Sequence, residues 1–198
     1  MMPIDRIPDW EQRIARQDAF WDRAILDRPV LSIQWPKDPP EVTPPAPRTY
    51  ASWREHWMDT GRVVNEALAI AGNTEYGGDA LPHFWPNLGP EVFSAFFGQQ
   101  MTYTETTSWA RPVIEDWSHT DHIRFSEDNF YWKKLLEMTD ALLEAGKNRF
   151  YVGISDIHTG GDAIAAFRDP IDLNTDLLLY PEAIKRLLAY VNEIYVKV

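Results

Sequence analysis

The stretch RFYVGISDIHTGGDAIAAFRD, Arg149 to Asp169, decides how this chain reads. Phe150, Tyr151, Val152, Ile154 and Ile157 suit a buried strand over 149–157. Asp156, His158, Thr159, Gly160, Gly161 and Asp162 then arrive together at its carboxyl end. That is the end at which α/β folds place ligands. The paired glycines let backbone N–H groups approach a ligand with no Cβ in the way, and a helix is expected to open at Gly161.

Outward from this stretch, helical periodicity is plain. Asp9 to Asp27 reads as an amphipathic helix with Trp10, Ile14, Trp21 and Ile25 on one face, charges opposite and Asp9 as cap. A short buried strand is expected over 29–36, followed by a loop over 37–48 with five prolines, read as a lid or as an arm. Tyr50 to Ala71 reads as one helix stopped by Gly72 and Asn73, and 80–85 as a strand. Pro86 to Pro90 reads as a turn, Glu91 to Phe97 as a short helix, and 102–107 and 111–117 as short strands. Ser126 to Ala145, 161–167, 171–179 and the stretch from Pro181 onward read as helices, the last with Ile184, Leu187, Leu188, Val191 and Ile194 along one stripe.

With 198 residues, 44% apolar and 25% charged, the composition is that of one globular domain with a real core. A net charge of −11 argues against nucleic acid and against an anionic membrane surface as partners. Without cysteine there is no disulfide and no thiolate nucleophile or ligand. No run approaches the ~18 apolar residues of a membrane span, the N-terminus carries charges throughout, and the expected compartment is the cytoplasm. The periodic pattern runs up to Val198, so the chain reads as the front part of a larger α/β protein, or as one completed by another copy.

GGDALPHFWPNLGPEVFSAFFG (77–98) and SDIHTGGDAIAAFRDPIDLNTDLLLYPEAIKRLL (155–188) together resemble the uroporphyrinogen decarboxylase-like superfamily, over most of Trp53 to Val198. The closest likeness is a strand, a glycine turn, A-x-x-R/F-D-P and then D-L-x-x-x-P-E-x-x-K-x-L-L. The resemblance implies a (β/α)8 barrel, here its amino-terminal part with extra N-terminal helices, and a ligand site at the barrel mouth. It also implies a decarboxylase or a methyltransferase acting on a small or tetrapyrrole-related substrate. Decarboxylation needs no cofactor in that family, whereas methyl transfer brings a corrinoid and zinc. The alternatives to an enzyme are a non-catalytic barrel that binds a ligand, and a structural protein that forms a homo-oligomer.

The candidate catalytic residues are Asp156 and His158, which alternation along a strand puts on one face for acid–base work. Trp35, Trp85 and Asn87 are candidates for a substrate-binding wall, and Gly160 and Gly161 for holding an anion through free N–H groups. Asp162 reads more simply as a helix cap. The cluster of His119, Asp121 and His122 has metal-binding residue types, but reads as a solvated loop. Glu115 and Asp116 read as surface acids, and no metal site is assigned.

Overall fold

The computed structural model describes residues 4–198. The chain divides into two compact units. The first is built from residues up to Thr49, Asp59–Pro86 and Met138–Gly153; the second from Tyr50–Met58, Asn87–Glu137 and Ile154–Val198.

The first unit opens with α1 (Trp10–Trp21). Its buried face is Trp10, Arg13 and Arg16, so two of the charges read as solvent-facing point inward, while Trp21 and Ile25 are exposed. The helix also ends earlier than expected. Asp9 precedes it without capping it and binds Arg13 Nε instead, at 2.8 Å. Strand β1 (Ser32–Pro36) pairs antiparallel with β2 (Thr74–Gly78), with Trp35 opposite Glu75, and β1 is exposed along its whole length.

The helix expected over 50–71 is two helices. α2 (Trp53–Met58) belongs to the second unit and α3 (Thr60–Asn73) to the first. The break falls at Asp59, whose carboxylate accepts from Arg62 N at 2.9 Å and so starts α3 afresh. The proline-rich arm lies against its own unit. Val42 and Asn73 exchange two hydrogen bonds of 2.8 and 2.7 Å, and Val42 packs where a Cβ on Gly72 would sit.

β3 (His83–Phe84) and β6 (Tyr151–Val152) form a parallel pair of only two residues each. Pro82 and Pro86 flank β3, and neither has an N–H for a ladder. Two packed clusters support this unit. Ile4, Ile7 and Trp10 pack with Ile14, Tyr76, Leu81 and Tyr151, and Ala67, Leu142 and Phe150 pack with Val63, Val64 and Phe84.

In the second unit α4 (Val92–Ala95) is buried entirely. The hairpin β4 (Met101–Tyr103) and β5 (Ser108–Ala110) replaces the two strands expected nearby, and 111–117 is not a strand. Asn129 starts α5 (Phe130–Gly146), whose residues to Glu137 belong to this unit and the rest to the first, accepting from Tyr131 N and Trp132 N at 2.8 and 3.2 Å. α6 (Gly161–Arg168), α7 (Pro170–Leu179) and α8 (Pro181–Lys197) follow nearly as their periodicity predicts. Phe97 sits at the centre of an aromatic core, with Phe93 at 5.4 Å and Phe167 at 5.5 Å, both edge-on. Ile164 and Val191 bring α6 and α8 into the buried set.

The expectation of a (β/α)8 barrel, or of its amino-terminal part, is overturned. The strands among the described residues form three separate two-stranded pairs, and only β3 with β6 is parallel. A barrel needs each strand bonded on both sides. The strand read over 149–157 stops at Val152, and Ile154 is 90% exposed where a buried strand residue was expected.

Candidate functional site

Two buried carboxylates with arginine partners and one exposed His–Asp pair stand out among the described residues. In the first unit Asp79 is completely buried. Its Oδ1 accepts from Arg16 Nη1 at 3.1 Å and Arg28 Nη2 at 3.0 Å, and its Oδ2 accepts from Leu31 N at 3.0 Å. Arg16 also forms a two-bond fork to Asp27, at 2.8 and 2.7 Å. Burial pushes the Asp79 carboxyl up, but the bonds from Arg28, Leu31 N and Arg16 outweigh it and hold the group below its usual range. Arg13, one turn before Arg16, donates to Tyr76 O and Ala80 O, both at 2.8 Å. The cluster ties α1 to the β2 end, with Arg16 and Asp79 buried and Arg28 and Asp27 reaching solvent at its rim.

The second unit has a smaller relative of this arrangement. Asp176 is buried and accepts from Trp117 Nε1 at 2.8 Å and Arg168 Nε at 2.6 Å. Here too burial raises the carboxyl and its donors bring it down below the ordinary value. Sequence reasoning missed both clusters. The available signal was Arg13 and Arg16 falling on the same helix face as Trp10, three and six residues on.

The exposed pair is the one the sequence singles out. His158 Nε2 and Asp156 Oδ1 are 3.0 Å apart, with side chains 42% and 56% exposed. They do not lie on a strand. Both sit in the irregular segment between β6 and α6, and the local turn, rather than strand alternation, brings them together. With Nε2 facing the carboxylate, Nδ1 is the ring nitrogen left for another group. Gly160 follows with φ +65°, a left-handed conformation that favours glycine. It occupies the cap position of α6, so Asp162 is not the cap but a first-turn residue. No side chain caps α6, and the Cβ positions of Gly160 and Gly161 open onto empty space. The start of α6 therefore presents backbone donors to solvent two residues beyond His158.

The remaining candidates do other work locally. Trp35 lies in β1 with its ring over Gly77. Trp85 is exposed and stacks on His83 with centroids 5.7 Å apart and planes inclined by 22°. Asn87 closes its own turn by accepting from Gly89 N at 2.9 Å. Trp35 and Trp85 belong to the first unit; Asn87, Asp156, His158, Gly160 and Gly161 belong to the second. Of these, Asp156 and His158 are brought into polar contact with each other.

The loop near His119 separates into local pairs. His119 Nδ1 is 3.3 Å from Asp116, and Asp121 is 3.5 Å from Arg124. The N–H of Ser118, then its hydroxyl, hold the Asp116 carboxyl below its usual value. Among the described residues no three His, Asp or Glu side chains gather as metal ligands. The zinc that methyl transfer implies therefore finds no donor set here. No helix of the described residues is long and apolar enough to cross a membrane. In comparisons with known proteins, the chain matches no family model, no curated protein and no solved structure.

Proposed function

We propose that this chain is an acid–base enzyme of the decarboxylase kind, acting on a small or tetrapyrrole-related carboxylic acid. His158 is its proton carrier, and Asp156 orients the ring. The observation that carries the reading is the 3.0 Å contact between Asp156 Oδ1 and His158 Nε2 beside the uncapped start of α6. Support also comes from the likeness of 77–98 and 155–188 to uroporphyrinogen decarboxylase-like sequences.

In the proposed reaction the substrate's C–CO2⁻ bond breaks, CO2 leaves, and the electron pair stays on carbon. His158 delivers a proton to that carbon and regains one from water, so the sum is R–CO2⁻ + H⁺ → R–H + CO2. N–H groups at Gly160 and Gly161 suit a second carboxylate of the substrate, because a helix start favours anions.

The test is CO2 release from porphyrinogen carboxylic acids and smaller acids by the purified chain. A correctly placed acid–base group is worth roughly 10²–10⁴-fold, so His158→Ala should lose about that factor and Asp156→Asn a smaller one. No release from any such acid would end the proposal, and methyl loss from methylcobalamin would replace it with the methyltransferase reading. A second reading, a binder without catalysis, is favoured by the exposed His83–Trp85 stack, a flat platform for a ring-shaped ligand. It predicts binding that survives both dyad variants and falls with Trp85→Ala.

A further inference from the structure

The two-stranded sheet of β1 and β2 has one closed edge and one open edge. Asp79 N donates to Leu31 O at 2.6 Å, and Lys37 N donates to Asn73 O at 2.7 Å. These bonds bracket a register in which Leu31, Ile33, Trp35 and Lys37 direct their backbone groups at β2. Ser32 and Gln34 therefore direct theirs the other way. The far edge of β2 is covered, since Arg13 takes Tyr76 O at 2.8 Å. The far edge of β1 is not: all five of its residues are exposed, and among the described residues no third strand joins the sheet.

Open edges of this kind are ordinarily blunted by charges. β1 carries none, and its only blunting residue is Pro36 at its end. Its odd positions Leu31, Ile33 and Trp35 present one exposed apolar face, and the segment leading into it exposes Trp21, Ile25 and Leu26. The charge pattern agrees. The chain is net −11, which opposes self-association, yet residues 20–36 carry Asp22 and Asp27 against Arg23 and Arg28 and are neutral.

We infer that the open edge of β1 pairs antiparallel with β1 of a second copy, about a two-fold axis at Ile33. In this register Ser32 of one copy faces Gln34 of the other and exchanges both backbone bonds with it, giving four bonds across the axis. Ile33 then meets its own counterpart, Leu31 meets Trp35, and the two sheets become one of four strands with a continuous apolar face. The pairing satisfies the outward groups of Ser32 and Gln34, and Pro36, which has no N–H, stands at the rim where none is needed.

Sedimentation equilibrium of the full chain tests this. The wild type should run at twice the chain mass, and amide exchange at Ser32 and Gln34 should slow as concentration rises. Ile33→Lys sets two ammonium groups against each other on the axis and should weaken the dimer by about 100-fold. Gln34→Pro removes an outward N–H and no bond to β2, and should weaken it too. Circular dichroism checks that each variant folds, and the exchange measurement stands without either. A wild type that stays monomeric at every concentration overturns the inference and leaves the edge to a different partner. So does a dimer that both folded variants keep unchanged.

Discussion

Asp79 Oδ1 lies 3.1 Å from Arg16 Nη1 with the carboxylate wholly out of water and the arginine side chain only 8% exposed. Removing one partner of a buried pair costs about 3–5 kcal/mol when the other charge is left alone; Arg16 keeps its fork to Asp27, which puts Asp79 at the low end. Asp79→Ala is therefore expected to lower unfolding free energy by about 3 kcal/mol, read from urea denaturation. A loss under 1 kcal/mol would mean that water reaches the site.

Acid should unfold the first unit through this cluster. Asp79 sits below its usual value, and Asp27, bonded to Arg16, is lowered to about 2. A carboxylate depressed by folding contributes stability that is complete above its unfolded pKa, about 4. That stability disappears as pH falls through the lower folded value. Melting temperature should hold between pH 7 and 5 and drop from about pH 4 downward, and Asp79→Asn should flatten the drop. A curve of unchanged steepness would locate the acid sensitivity elsewhere.

Gly89 adopts φ +98°, and a Cβ there would lie 1.7 Å from Ser108 Oγ. Gly89→Ala has both a strained backbone and a clash, together about 2 kcal/mol or more. The double variant with Ser108→Gly should recover part of the loss and leave the backbone strain. Full recovery would show that the conformation itself costs nothing.

Asp59→Ala should remove the bond to Arg62 N that starts α3, costing about 1 kcal/mol. Asp59→Asn keeps an acceptor at that position and should cost less. Equal losses from both would assign the effect to the ion pair with Arg48 instead.

Asp156→Asn and His158→Ala touch an exposed pair, so their effect on melting should stay within about 0.5 kcal/mol. Any fall in turnover is then chemical rather than structural. A large loss of stability would give the pair a holding role in the segment before α6.

The helices were legible because a 3.6-residue repeat of apolar side chains needs only the chain's own neighbours to be read. α8 shows this, with Ile184, Leu187, Val191 and Ile194 all buried as their spacing predicts. β2 was not legible. Thr74–Gly78 reads TEYGG, with two glycines and no alternation, and it is a strand because β1 lies beside it. Arg13 and Arg16 looked like the wet side of α1, and only the carbonyls of Tyr76 and Ala80 and the carboxylate of Asp79 turn that side inward.

The candidate site divides the same way. The order Asp156, His158, Gly160, Gly161 was visible as a polar turn before a helix, because glycine pairs and helix starts are local features. That the two side chains meet, and that they do so on an irregular segment and not a strand, depends on the path the backbone takes after Val152. By itself the sequence determined the helical segments, the acidic surface and the polar turn, since each rests on contacts a few residues apart. Strand partners, the architecture without a barrel and the buried Arg16–Asp79–Arg28 cluster were decided only in three dimensions. Hydrogen-bond pairing and charge burial join residues tens of positions apart, and no local pattern encodes which of them will meet.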